Sequence, residues 1–123
     1  MAARRPAPDP AGATAVLAWQ REPDALTRGE LAAAVRHTLG LLAERVPGRT
    51  VEVRVPPFGA VQCLPGPRHT RGTPPAVVET DPQTWLRLAT GRLSWSQAEA
   101  ESLVRASGQR ADLAPVLPLV PSS

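Results

Sequence analysis

The densest cluster of side chains able to do chemistry is Arg68-His69-Thr70-Arg71, set between prolines that hold it outside regular structure. Two guanidiniums and an imidazole suit a carboxylate or a phosphate, because the planar arginine fork meets two anionic oxygens at once. Arg68, His69 and Arg71 are therefore the candidate anion-binding residues. The alternative is a solvated basic loop, or pairing with the nearby Glu79 and Asp81. The only other histidine is His37, on the edge of a helical apolar pattern, and neither histidine belongs to a spaced ligand set, so no metal is expected. Cys63 is the single cysteine and lies in an apolar run, which reads as a buried, inert thiol. Glu99 and Glu101 are two apart on a helix, hence not side by side, and read as a solvated face. No nucleophile elbow, phosphate loop or dinucleotide fingerprint occurs. The expectation is a non-enzymatic binder with no cofactor.

Composition narrows the classes further. The 14 basic residues are all arginine, against 11 acidic ones, and Lys, Ile, Asn and Tyr are absent. That bias reads as a GC-rich genome acting through codon choice. It also accounts for the pI of about 10.9, since guanidinium hardly titrates. The arginines are scattered and the aromatic residues few, which argues against nucleic-acid binding. No run is long or apolar enough for a signal peptide or a stable membrane insertion, so a cytoplasmic location is expected. At 123 residues the chain has the length of one domain. Residues 1–8 read as a disordered tail and 9–123 as that domain.

The elements that would position these residues are marked by proline, which is absent from residues 24–46 and 83–114. Asp9-Pro10 predicts a capped helix to about Gln20, with Val16, Leu17 and Trp19 on its apolar side. Thr27 and Glu30 have capping-box spacing, and Leu31, Val35, Leu39, Leu42 and Val46 then mark one helical face until Pro47-Gly48. The period changes to two in residues 51–55, a strand; residues 58–64, 76–80 and 103–107 are further strands. Asp81-Pro82 opens a helix that Gly91 ends. Ser94 and Gln97 offer another capping box, and a last helical turn falls near Ala111–Ala114. The fold class is α+β, with a mixed or antiparallel sheet of four to five strands covered on one face by helices.

Residues Trp85 to Val120 resemble the sterol carrier protein family. The resemblance is carried by Leu86, Thr90, Gly91, Arg92 and Leu93 at a helix end, then by the strand from Leu103 to Gly108. The central stretch, residues 51–82, is similar to short bacterial sterol-carrier-like proteins, and it departs from the family in joining its second and third strands by a proline-rich loop instead of a plain hairpin. The likeness covers about residues 28–120. It implies that the turn after Gly91 leads into a helix roofing a ligand cavity, that Gly108 makes a sharp exit from the last strand, and that an amphipathic helix closes the chain. In such a fold the sheet's inner face and the following helices line the cavity, which makes Val61, Cys63, Val78, Trp85, Leu86, Leu93 and Trp95 the apolar candidates; the alternative is a filled core.

The function expected is binding or transfer of an apolar, lipid-like ligand between sheet and helices, with any acidic head group held by the Arg68–Arg71 loop. The alternative is an interaction domain that docks a separate enzyme, or a second copy as a homodimer, through apolar surface such as the Trp19 helix. An enzyme using Arg68, His69 and Arg71 ranks last.

Overall fold

The computed structural model describes residues 5–66, 74–108 and 111–121. Helix α1 spans Pro10–Arg21 and α2 Arg28–Arg45. Strands β1, Val51–Val55, and β2, Gly59–Cys63, follow, then β3, Ala76–Glu79. Helices α3, Pro82–Ala89, and α4, Trp95–Ala100, precede strand β4, Arg105–Ser107, and a 3-10 turn at Ala114–Val116.

The helix starts follow from their caps. Asp9 accepts from the Gly12 N–H with Pro10 in the first turn, and Asp81 accepts from the Thr84 N–H with Pro82 behind it. Thr27 and Glu30 satisfy each other's backbone donors, a complete capping box. Ser94 accepts from the Gln97 N–H at 3.1 Å. Gly91 leaves α3 at φ +80, the left-handed conformation that a side chain disfavours, and Gly108 turns the chain out of β4 at φ +94.

The sheet is mixed, in the order β2-β1-β3-β4. β1 runs antiparallel to β2 and parallel to β3, and β3 runs antiparallel to β4. β2 runs back beside β1, and β3 then takes the other side of β1 in the same direction as β1. Val51, Val53, Val55, Val61, Cys63 and Val78 share the inner face and are buried with Val35, Leu39 and Leu42 of α2, Trp85, Leu86 and Leu88 of α3, and Trp95 and Ala98 of α4. The other face carries Glu52, ion-paired with Arg54, and the exposed Gln62.

Four details differ from the sequence reading. On α1 the buried stripe is Gly12, Ala15, Val16, Trp19 and Gln20, while Leu17 is 52% exposed. Leu17 sits one residue past Val16, and a helix turns about 100° per residue, away from that stripe. β4 is only three residues long, because the Leu103 N–H returns to Ala98 O and its carbonyl accepts from the Thr80 hydroxyl. The last helical turn falls at Ala114–Val116 instead of Ala111–Ala114, and no closing amphipathic helix occurs among the described residues. Pro115, Pro118 and Pro121 recur every third residue and remove the donors a helix needs. The tail instead tucks Leu119 inward and donates the Leu119 and Val120 N–H groups to Ala89 O.

Residues 5–8 also have a definite place. The Ala7–Pro8 backbone crosses α2 where a Cβ at Gly40 would lie 2.6 Å away, and Pro6 reaches Gly59. The remaining residues of the expected tail, 1–4, lie outside the described residues.

Candidate ligand site

The apolar candidates converge. Cys63, Val78, Trp85 and Leu86 are fully buried, and Val61, Leu93 and Trp95 are 3–5% exposed, all within one continuous core. β2 and β3 supply the first two positions of this layer from the sheet; α3 supplies Trp85 and Leu86 from the helical side. The Gly91 turn brings Leu93 inward and starts α4 with Trp95 as its first residue. The layer joins the inner face of the sheet to helices α3 and α4.

The tryptophans differ in one respect that bears on chemistry. Trp19 donates its indole N–H to Gln83 Oε1 at 2.8 Å, and the Gln83 amide donates in turn to Pro23 O at 3.1 Å. Trp85 donates to Thr38 Oγ1 at 2.8 Å, and the Thr38 hydroxyl lies 2.9 Å from both Ala34 O and Val35 O. Trp95 Nε1 is buried and has no hydrogen-bond partner among the described residues. A buried donor left unmade costs about 1–3 kcal/mol, so a layer holding one is less stable than the same layer with an acceptor in reach.

The titratable groups here are quiet. Burial pushes the Cys63 thiol up to about 11, so the nucleophilic thiolate is not formed at neutral pH. His37 accepts the Asp9 N–H on Nδ1 at 3.1 Å, and burial holds its pKa below the ordinary value against the pull of Asp9 and Glu44. No group of three His, Cys, Asp or Glu side chains able to hold a metal occurs among the described residues. Glu99 and Glu101 are exposed. The anion candidates Arg68, His69 and Arg71 lie outside the described residues.

Trp19, the expected docking residue, faces inward and is 1% exposed. Arg92 lies over its ring at 4.9 Å and donates to the Gln20 carbonyl, which fixes α1 against the turn between α3 and α4. The stripe that buries Trp19 has the i, i+3, i+4 spacing of a helix face packed on a core.

A second feature has no counterpart in the sequence reading. A groove of about 730 Å³ runs along β2, walled by Arg5, Arg36, Arg49 and Phe58. The arginines come from the N-terminal segment, from α2 and from the loop before β1, so no local pattern in the chain announces them.

No helix among the described residues is long and apolar enough to cross a membrane. No curated protein matches the chain. A family model described as a bacterial SCP ortholog matches residues 27–119, from the cap of α2 to the tucked tail. That match covers well over half of the chain and all four strands, and with the mixed sheet under its helices it places this protein in the bacterial sterol carrier protein (SCP) ortholog family.

Proposed function

We propose that this protein is a non-enzymatic binder or carrier of a lipid-like ligand, held between the sheet and helices α3 and α4. The observation that carries this reading is the unpartnered Trp95 N–H in the apolar layer of a chain of this family. A ligand with an acyl tail and a carbonyl or hydroxyl oxygen supplies what that layer lacks: it replaces packed side chains by packed methylenes and gives the indole an acceptor. Each Å² of apolar ligand surface withdrawn from water contributes about 25 cal/mol, so a tail of ordinary length supplies the drive without any bond chemistry. For entry the helical layer must part from the sheet, and α4 is the natural flap. It has only six residues and is joined to α3 by the Gly91 turn. An acidic ligand end would be held by Arg68, His69 and Arg71, as arginine forks hold carboxylates. The site of action proposed is the cytoplasm.

Titration with a fatty acid and with an acyl thioester, followed by tryptophan emission and thermal melting, tests this. Saturable quenching with a raised Tm is expected, weakened in Trp95→Phe, which keeps an aromatic ring but removes the donor. No change in emission or Tm with either ligand class would overturn the proposal.

A further inference from the structure

The groove along β2 has both of the features that an extended peptide needs. The first is free main-chain hydrogen bonding. Ala76 N–H donates to Thr50 O at 2.9 Å and Thr80 N–H to Arg54 O at 3.1 Å, so β1 uses its even-numbered residues toward β3. Its odd-numbered residues Val51, Val53 and Val55 therefore turn their main-chain groups toward Cys63, Val61 and Gly59 of β2. Along β2 the alternation leaves Ala60 and Gln62 with N–H and C=O pointing off the edge of the sheet. Both residues are exposed and both line the groove.

The second feature is charge. Arg5, Arg36 and Arg49 wall the groove, are exposed, and have no ion-pair or hydrogen-bond partner among the described residues. The single acidic residue of the lining, Glu52, is already paired with Arg54. Phe58 adds an apolar contact at one end, with the Arg28 guanidinium 5.3 Å from its ring centre. An exposed edge strand invites pairing unless something blunts it, and here like charges do so selectively. A second copy of the chain would set arginines against arginines, whereas an acidic strand is drawn in.

We propose that the β2 edge is a docking site for an extended, acidic segment of another protein, which adds to the sheet as a fifth strand through Ala60 and Gln62. Main-chain bonds would supply affinity, and Arg5, Arg36 and Arg49 would select carboxylates along the incoming strand. The inference is independent of the lipid layer, since the groove shares only Val61 with the apolar candidates.

The test uses the full chain and an end-blocked, fluorescein-labelled peptide, Glu-Val-Asp-Thr-Glu-Val-Glu, followed by anisotropy and by amide exchange. The peptide is expected to bind and to slow exchange at Ala60 and Gln62. An analogue N-methylated at alternate residues keeps the charge, loses the ladder, and should bind about tenfold more weakly. The Arg36→Glu/Arg49→Glu chain should lose at least about tenfold, with its melting unchanged because neither side chain has a partner to lose. Equal binding of the N-methylated analogue, or unchanged exchange at Ala60 and Gln62, would overturn strand addition. So would an absence of peptide binding beside firm, arginine-dependent binding to phosphatidylglycerol vesicles, which would assign the groove to a lipid surface.

Discussion

Trp85 and Thr38 are joined across the core by a 2.8 Å hydrogen bond from the indole N–H to Oγ1, linking α3 to α2 in a fully buried setting. Among the described residues nothing plays the part of Thr38 for Trp95. One tryptophan thus serves the fold by its ring and its N–H together, and the other serves it by its ring alone.

That difference predicts unequal costs for the same substitution. Trp85→Phe removes a satisfied bond and ring volume and should cost about 1–3 kcal/mol in urea unfolding. Trp95→Phe loses similar ring volume but also removes an unmade donor, so its cost should be smaller by about 1 kcal/mol or more in ligand-free protein. Equal losses would mean that the Trp95 N–H finds an acceptor in solution.

Asp81 caps α3 with both carboxylate oxygens, accepting the Thr84 N–H at 3.0 Å and the Thr84 hydroxyl at 2.6 Å. Asp81→Ala should lower stability by about 1 kcal/mol and loosen the helix that carries Trp85 and Leu86. Chemical denaturation measures the first, and amide exchange along α3 the second.

Much of this was legible in the chain. Proline, cap and period signals located the starts of α1 to α4 and the existence of all four strands, because Asp9-Pro10, Thr27-Glu30, Asp81-Pro82 and Ser94 act within a few residues of themselves. The burial of Val61, Cys63, Val78, Trp85, Leu86, Leu93 and Trp95 followed from the same periodicity and the family likeness. What local spacing cannot carry is who meets whom. The parallel pairing of β1 with β3 joins strands that are not consecutive in the chain, the groove arginines come from positions 5, 36 and 49, and Trp19 turned inward because Gln83 and Arg92 wait for it from the far half of the chain. Trp95 was legible as apolar lining and not as an orphaned donor, since that property belongs to its neighbours.

His37 ties the start of α1 to α2, and the tie depends on pH. Its Nδ1 accepts the Asp9 N–H, and a proton there would break the bond. Because burial lowers its folded pKa below 6.5, the unfolded chain takes up the proton first as pH falls. Stability should be full above about 6.5 and decline as pH drops from there toward the lower folded value. Thermal melting between pH 7.5 and pH 5.5 should show this decline, and His37→Gln should flatten it. An unchanged slope in the variant would place the effect elsewhere.

Cys63 should be silent to thiol reagents in the native state. Its side chain is buried and its pKa is raised to about 11, so both access and thiolate are withheld. Labelling with a disulfide-exchange reagent at pH 8 should proceed only as fast as the chain opens, and at once in denaturant. If lipid entry parts the helices from β2, an added fatty acid should change that native labelling rate.

Native mass spectrometry of freshly purified protein, with organic extraction of whatever is bound, tests the central claim most directly. The account predicts a stoichiometric lipid-like ligand released on denaturation, or a one-to-one mass increase when fatty acid or acyl thioester is added to the bare chain. A bare mass that stays unchanged with both would contradict it and leave the layer around Trp95 as a packed core with no ligand.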